Sequence, residues 1–164
     1  MTKNIFIVMG VSGTGKTTIG KLLAENLDIP FFDGDDFHPK ENIEKMASGR
    51  PLNDSDREGW LAKLNNLAIE HKEKGLVIAC SALKKKYRTL LRSSIEESTE
   101  FIFLDASFEQ IKKRMDKRKG HFMPPGLLQS QFDTLETPKK AIQVDVSQNP
   151  KEIVAQVLAQ INRI

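Results

Sequence analysis

A glycine-rich octapeptide near the N-terminus carries the clearest chemistry in this 164-residue sequence. Residues 10–17 match the phosphate-loop pattern G-x-x-x-x-G-K-[ST] in full. The glycines let such a loop curl, so that backbone N–H groups and the N-terminus of the next helix face phosphate oxygens. We expect Lys16 to reach the β- and γ-phosphates and the Thr17 hydroxyl to ligate Mg²⁺. The pattern predicts a nucleotide site built from Gly10, Val11, Ser12, Gly13, Thr14, Gly15, Lys16 and Thr17.

A cluster of acidic side chains and a histidine follows the second predicted strand, in the segment Phe32-Asp-Gly-Asp-Asp-Phe-His-Pro39. Open α/β sheets bind their ligands at the carboxyl ends of parallel strands. A polar turn leading into a helix cap would account for the same residues without a ligand. Beside a phosphate loop we favour a site, in which Asp33 holds Mg²⁺ through water and Asp35 accepts or orients the proton of an attacking hydroxyl.

The tetrapeptide Asp56-Arg-Glu-Gly59 fits the D-x-x-G pattern that GTPases place near the γ-phosphate. Polar residues 53–55 precede it, where a GTPase would have a buried strand. The guanine-reading sequence N-K-x-D is absent from the chain. A nucleotide-dependent switch that binds protein partners is therefore disfavoured.

Apolar runs and helical patterns alternate along the chain, which predicts an α/β protein with right-handed crossovers and a parallel sheet covered on both faces. The predicted strands are Ile5–Met9, Leu76–Cys80 and Phe101–Leu104, with weaker candidates at Ile29–Phe32 and Ala141–Val146.

Three apolar stripes with helical spacing predict the helices that cover this sheet. They are Ile19–Leu27, a stripe from Trp60 to Ala68, and Ile153–Ile161. We expect a capping box at Ser55-x-x-Glu58 to open the second helix and a cap at Asn149-Pro150 to open the last one. The second helix should close near Gly75.

Composition limits the classes of protein that the chain can belong to. Twenty-five basic and 22 acidic residues give a net charge of +3, too small to argue for a nucleic-acid or membrane surface. One cysteine excludes an internal disulfide and fits a reducing compartment. No apolar run approaches the roughly 18 residues of a membrane span. The three histidines are too widely spaced for a zinc site. We expect a cytoplasmic protein.

Several longer motifs resemble the gluconokinase family of the P-loop kinase superfamily. The first is Asp33-Gly-Asp35 followed by His38-Pro39. The others lie in residues 46–61, 80–88, 118–122 and 131–136, and read M-x-x-G-x-P-L-x-D-x-D-R-x-x-W-L, C-S-A-L-K-K-x-Y-R, R-K-G-H-F and Q-F-x-x-L-E. The resemblance runs from about Phe6 to the last helix, which is nearly the whole chain.

The resemblance implies ATP-dependent phosphorylation of D-gluconate to 6-phosphogluconate, with Mg²⁺ as cofactor. It also implies a nucleoside-monophosphate-kinase-like fold of three layers, with five parallel strands in the order 2-3-1-4-5. One domain would span residues 1–164, and a mobile lid would cover about residues 118–127, where Gly and Pro concentrate. A homodimer is a further expectation from the family, with no nucleic-acid or membrane partner.

A gluconate site needs a cation for the carboxylate and hydrogen-bonding side chains for the hydroxyls. Arg57 is our first choice for the carboxylate, because its planar guanidinium can bind bidentately, and Lys84 is the second. His38, Asp35 and Gln131 are the candidates for reading hydroxyls. The competing interpretations are exposed surface charges for Arg57 and Lys84 and a packing role for His38.

Basic residues concentrate in residues 84–92 and 112–119, which hold 11 of the 25 lysines and arginines. By resemblance, Arg114 should lie against the adenine, and Arg118 should close over the phosphates and stabilise the charge that develops during transfer. His121 belongs to the same lid motif and is expected to touch substrate or phosphate.

Two alternatives to gluconate phosphorylation stay open on the sequence. One is a related small-molecule kinase that acts on shikimate, a nucleoside monophosphate or another sugar acid. The other is a nucleotide-dependent RNA-binding module built on the two basic runs. The chain has one Tyr and one Trp, and Tyr87 is the only aromatic residue within the two basic runs, which disfavours RNA binding.

Overall fold

A five-stranded parallel sheet organises the computed structural model, which describes residues 3–117 and 125–161. The strands are β1 Ile5–Met9, β2 Phe31–Asp33, β3 Leu76–Ala79, β4 Thr99–Asp105 and β5 Ile142–Asp145. Their spatial order is β2-β3-β1-β4-β5, and every neighbouring pair is parallel, which confirms the predicted order.

Helices connect these strands and cover both faces of the sheet. They are α1 Lys16–Leu27, α2 Lys40–Ala47, α3 Asp54–Glu70, α4 Lys85–Leu91, α5 Phe108–Lys117, α6 Pro125–Thr134 and α7 Pro150–Ile161. A 3₁₀ turn, Gly34–Phe37, follows β2 directly, and a second, Glu96–Ser98, precedes β4. Among the described residues, none of the helices is both long enough and apolar enough to cross a membrane.

The central strand β1 explains why an uninterrupted apolar run forms this fold. All five of its residues are buried, and they alternate between two core layers. Ile5, Ile7 and Met9 pack with α3 and α4, whereas Phe6 and Val8 pack with α1 and α7. A strand that is covered on both faces needs an apolar side chain at every position.

The start of α3 differs from the predicted capping box at Ser55 and Glu58. Asn53 caps the helix instead: its side chain accepts the N–H of Asp56 at 2.8 Å, and the Asp56 carboxylate accepts the N–H of Asn53 at 2.9 Å. Asn and Asp make this reciprocal pair as Ser and Glu would, so the helix begins two residues earlier than predicted. At its other end α3 stops at Glu70, short of Gly75.

The predicted lid lies mostly outside the described residues, since residues 118–124 are not among them. Residues 125–127 are the start of α6. The last helix begins at Pro150 as predicted, where the Asn149 side chain accepts the N–H of Glu152 at 2.9 Å.

The fold brings the carboxyl ends of three strands to one edge of the sheet. Gly10 follows β1, Asp33 ends β2 and Ser81 follows β3, and the N–H of Gly10 donates to the Ser81 carbonyl at 3.2 Å. The phosphate loop and the acidic cluster are therefore neighbours, as the ligand-binding edge of an open α/β sheet requires.

Candidate active site

The phosphate loop leads from β1 into α1 through backbone conformations that only glycine adopts easily. Gly15 caps α1 with φ of +93°, in the left-handed region. Gly10 lies against β4, where an added Cβ would come within 2.9 Å of the Leu104 carbonyl oxygen. The buried Thr14 hydroxyl donates to the Val11 carbonyl at 2.9 Å and braces the loop from inside. The loop thus has the shape that the motif predicts.

Lys16 opens α1, and its side chain folds back over the loop. The ammonium donates to the carbonyl oxygens of Gly10 and Val11, each at 3.0 Å. Desolvation lowers the pKa of Lys16, and the carboxylates of Asp35 and Asp33 oppose that shift. The ammonium is therefore close to both the loop and the acidic cluster.

Thr17 and Asp33 form the pair of oxygen donors that a P-loop magnesium site requires. The Thr17 hydroxyl donates to Asp33 Oδ2 at 3.0 Å, and Asp33 Oδ1 accepts the N–H of Asp35 at 3.0 Å. Mg²⁺ prefers hard oxygen ligands and usually binds one or two protein groups together with substrate phosphates. These two residues fit such an ion. Within the described residues, no group of three or more His, Cys, Asp or Glu forms a complete protein-held site.

A cavity of about 260 Å³ opens beside the phosphate loop. This is below the roughly 300–1,000 Å³ of drug-sized ligand pockets, and it matches a small polar metabolite. Its lining comes from the loop, the turn after β2, the first turns of α3, the segment after β3, and α6. The polar residues that line it are Ser12, Lys16, Asp35, His38, Arg57, Ser81, Ser130, Gln131 and Thr134.

Asp35 lies between the loop and this cavity, at the start of the 3₁₀ turn. Its side chain faces the open cleft and is 80% exposed. Nearby protein atoms partly desolvate the carboxyl group and the Asp33 carboxylate repels its charge, so its pKa is raised, while Lys16 pulls in the opposite direction. Its place in the cavity lining beside Lys16 makes Asp35 the candidate proton acceptor.

His38 follows Asp35 by three residues and is buried in the cavity wall. Its ring stacks on Trp60, with 4.0 Å between the ring centroids. Its Nε2 lies 3.8 Å from Asp35 Oδ1. Burial, reinforced by the nearby Arg57 cation, lowers the pKa of His38 to about 4, so the ring is neutral at pH 7. His38 therefore both packs against Trp60 and lines the cavity.

Arg57 enters the cavity from the first turn of α3. One guanidinium nitrogen, Nη1, donates to the Leu52 carbonyl at 2.6 Å and to the Tyr87 hydroxyl at 3.1 Å. The guanidinium also lies over the Tyr87 ring, 5.1 Å from its centroid. Among the described residues no carboxylate lies within ion-pair distance of Arg57, although four acidic side chains do pair with lysines. Arg57 is thus a fixed cation available to an anion.

Lys84 differs from Arg57, because its ammonium binds an acidic partner outside the cavity lining. Asp54 accepts from Lys84 at 3.1 Å, from Lys86, and from the Tyr87 hydroxyl. These hydrogen bonds hold the pKa of Asp54 well below its usual range. The geometry favours Arg57 over Lys84 for a substrate carboxylate.

Gln131 lines the cavity, but its amide is engaged with the phosphate loop. Its Oε1 accepts the N–H of Ser12 at 2.7 Å, and its Nε2 donates to the Ser12 hydroxyl at 3.0 Å. Gln131 thus connects α6 to the loop, in addition to facing the cavity where we expected it to read hydroxyls.

Arg114 reaches the outer side of the phosphate loop from α5. Its guanidinium donates to the carbonyl oxygens of Gly13 at 3.3 Å and of Val146, in the loop before α7. It is placed beside the loop, and its contact with adenine stays a prediction. Arg118 and His121 lie outside the described residues, so their predicted contacts also stay predictions.

Sequence reasoning assigned no role to Tyr87 and Asn42, which hold Arg57 and His38 in place. The Tyr87 contact joins residues 30 positions apart, and no local pattern predicts such a contact. Asn42 follows His38 by only four residues, but His38 lies outside α2, so helical spacing does not predict their contact.

Comparison with known proteins shows which families this chain resembles. The family model described as shikimate kinase matches residues 12–162. The thermoresistant gluconokinase of Escherichia coli (strain K12) is 43% identical over 166 residues, which is 98% of this chain and 94% of that protein. The thermosensitive gluconokinase of the same strain is 43% identical over 163 residues, 95% of this chain and 86% of that protein. A crystal structure of a gluconokinase from Sinorhizobium meliloti 1021 superposes with a TM-score of 0.89 at 44% identity, covering 98% of this chain and 92% of that one.

The strand order, the phosphate loop and the shikimate kinase model place the chain among the P-loop kinases of nucleoside-monophosphate-kinase-like fold. At 43–44% identity to relatives matched over nearly their whole length, the chain belongs to the gluconokinase family.

Proposed function

We propose that this protein transfers the γ-phosphoryl group of ATP to the 6-hydroxyl of D-gluconate. The observation that carries the proposal is the shared lining of one cavity: Lys16 of the phosphate loop, the carboxylate Asp35 and the cation Arg57 all border it. A phosphate donor and an anionic polyol would therefore meet within a single cleft. Family membership supports the same reaction.

The acceptor would bind with its carboxylate on Arg57. An arginine held by Tyr87 and the Leu52 carbonyl keeps its planar donor edge in one orientation, which favours bidentate carboxylate binding. Asp35 and His38 would then face hydroxyl groups at the end of the cavity near Lys16. This arrangement selects a molecule with an acid at one end and a reactive hydroxyl at the other.

The transfer step needs an in-line approach more than covalent help from the protein. A bond forms between the gluconate 6-oxygen and the γ-phosphorus, and the bond to the β,γ-bridging oxygen breaks with its electron pair staying on ADP. The hydroxyl proton passes to Asp35 and then to solvent. Lys16 would stabilise the charge on the β- and γ-phosphate oxygens during transfer.

Thr17 and Asp33 would hold Mg²⁺, Asp33 through water, and a bound Mg²⁺ neutralises part of the phosphate charge. We extend the proposal to the segment 118–127 as a lid that brings Arg118 to the phosphates and excludes water, which would otherwise compete as acceptor. Arg114 and His121 would complete the nucleotide and substrate contacts.

A homodimer, a single domain over residues 1–164 and a cytoplasmic location belong to the same proposal, and analytical ultracentrifugation tests the dimer.

A coupled ADP-release assay with ATP and Mg²⁺ tests the reaction. The acceptor panel contains D-gluconate, shikimate, AMP, several sugar acids and D-glucitol, which keeps the gluconate hydroxyls but lacks the carboxylate. We expect turnover on D-gluconate and at least 100-fold lower kcat/KM on D-glucitol, since an unpaired cation would be left in the cavity. Turnover on shikimate instead, the second candidate because of the matching family model, would overturn the acceptor assignment but keep the phosphate site.

A further inference from the structure

Two buried polar side chains, His38 and Asn42, form a pair behind the acceptor cavity. Only 8% of His38 and 4% of Asn42 is exposed to solvent. Trp60 covers one face of the imidazole, and its own indole N–H donates to the Gly34 carbonyl at 2.7 Å. Because the stacked indole is itself anchored, the imidazole has little freedom to turn, and the contacts of its two nitrogens are well defined.

The orientation of the Asn42 amide follows from a backbone carbonyl. Asn42 Nδ2 lies 2.9 Å from the carbonyl oxygen of Asp56 and 3.2 Å from His38 Nδ1. A carbonyl oxygen only accepts hydrogen bonds, so the group that faces Asp56 must be the NH₂ of the amide. Its two hydrogens then serve two acceptors, one on Asp56 and the other on the imidazole.

The same constraint determines which imidazole nitrogen carries the proton. His38 Nδ1 receives a hydrogen bond, so it is unprotonated, and the ring hydrogen of the neutral imidazole is on Nε2. Nε2 is the nitrogen that lies 3.8 Å from Asp35 Oδ1. The charged groups that face this ring are Asp35, on the 3₁₀ turn, and Arg57, on α3. Trp60 and Asn42, its other neighbours, do not titrate.

We propose that Asn42 is a positioning residue that holds His38 as the neutral Nε2–H tautomer, so that the imidazole donates a hydrogen bond into the acceptor cavity. The part that concerns substrate rests on the proposed function. A hydroxyl oxygen that accepts from Nε2–H keeps its own proton free to point at the Asp35 carboxylate. His38 would donate to the oxygen of this hydroxyl, and Asp35 would accept its proton. The two contacts together would fix the orientation of the hydroxyl.

Nitrogen-15 NMR on protein labelled at the histidine rings tests the tautomer without any substrate. The spectrum distinguishes protonated from unprotonated ring nitrogens, and His38→Gln identifies the resonances of His38 among the three histidines of the chain. We expect an unprotonated Nδ1 and a protonated Nε2 at pH 7 and still at pH 5.5. A protonated Nδ1 in the unaltered protein, in either the neutral or the charged ring, overturns the proposal.

Variants at Asn42 then test the cause. Asn42→Asp is nearly isosteric but replaces the donor with an acceptor, so it should move the ring proton to Nδ1 or charge the ring at pH 7. Asn42→Ala removes the donor and should give a mixture of tautomers, which keeps the test available if the aspartate variant does not fold. An unchanged Nε2–H tautomer in a folded variant contradicts the role of Asn42.

Steady-state kinetics test whether the His38 tautomer affects turnover of the acceptor. We expect kcat/KM for D-gluconate to fall about 10-fold in Asn42→Asp, the loss of one hydrogen bond to a reacting group, with KM for ATP unchanged. His38→Gln can place an N–H near the Nε2 position, whereas His38→Asn can do so only near Nδ1, so the glutamine variant should be the more active of the two. Equal activities of His38→Gln and His38→Asn would overturn the proposed hydrogen bond from His38 to the substrate. An unchanged kcat/KM in Asn42→Asp, once NMR shows that the ring proton has moved, would overturn it as well. Absence of gluconate turnover in the unaltered protein would overturn the proposed function and leave the NMR result standing.

Discussion

The nucleotide end and the acceptor end of this cleft are built in different ways. The nucleotide end comes from eight consecutive residues, and its shape depends on backbone conformation, as at Gly15. The acceptor end comes from side chains on several elements, and two of them are held by other side chains: Arg57 by Tyr87, 30 positions away, and His38 by Asn42. Backbone sites are encoded locally, whereas side-chain sites depend on the assembled fold.

Charge is distributed differently at the two ends as well. At the nucleotide end, Lys16 lies close to Asp33 and Asp35, so opposite charges are interleaved. At the acceptor end, Lys84 and Lys86 occupy the Asp54 carboxylate, and the Tyr87 hydroxyl donates to it too. Because Asp54 pairs with these lysines, it does not form an ion pair with the neighbouring Arg57, and the guanidinium is available to an anionic ligand. The lysines act indirectly, by neutralising a competing carboxylate.

Replacing the proton acceptor should have the largest effect of the changes proposed here, and it should impair phosphoryl transfer without weakening ATP binding. Asp35→Asn should lower kcat by roughly 10²–10⁴-fold, the usual range for a general base, and leave KM for ATP nearly unchanged, since the phosphate loop is intact. Steady-state kinetics with ATP and D-gluconate varied in turn measures both. Near-normal kcat would remove the role given to Asp35, and a large rise in KM for ATP would show that the two ends are not separable.

Acid should destabilise the acceptor end through His38. Its folded pKa, about 4, lies below the ordinary 6.5, so between these values the unfolded chain binds more protons. Stability therefore falls as pH is lowered from 6.5 to 4, by up to about 3 kcal/mol from this residue. Urea unfolding at pH 7 and pH 4.5 measures the loss, and His38→Gln should show a smaller one. Equal losses in both proteins would contradict a neutral buried histidine.

Changing the acceptor cation tests its geometry rather than its charge. Arg57→Lys keeps the charge but loses the planar donor edge and the contact with Tyr87, so KM for D-gluconate should rise about 30-fold. KM for ATP should stay the same. Lys84→Met is the matched comparison: Lys86 and the Tyr87 hydroxyl still engage Asp54, and the cavity lining is unchanged, so the effect on KM for D-gluconate should be much smaller. A larger effect at Lys84 would reverse the assignment of the carboxylate.

The smallest expected effect comes from the residue behind Arg57. Tyr87→Phe keeps the ring under the guanidinium but removes the hydroxyl that links Arg57 to Asp54, and should raise KM for D-gluconate about 5-fold. The ratio of kcat/KM on D-gluconate to that on D-glucitol should fall by the same factor, because only the acid contacts Arg57. An equal effect on both acceptors would mean that Tyr87 acts through general packing.

Much of the framework was predictable from local patterns. Five apolar runs marked the strands within about two residues at each end, since a strand buried on both faces needs continuous apolar residues, as in Ile5–Met9. The order of the strands came from resemblance to a family, because apolar runs alone do not say which strands are neighbours. The capping of α3 was misplaced by two residues, since Asn53 and Ser55 can both cap a helix.

Local sequence was enough to predict the phosphate site, because the geometry of that site depends on contiguous backbone, and it also indicated Asp35, His38 and Arg57 as acceptor candidates. Which cation faces the cavity and which is neutralised became clear from the packing of the chain. The contact between Lys84 and Asp54 joins residues 30 positions apart, and the contact between Gln131 and Ser12 joins residues 119 positions apart. Interactions between polar side chains depend on distance and on burial, and in this protein both are set by how α3, α4 and α6 pack around the end of the sheet.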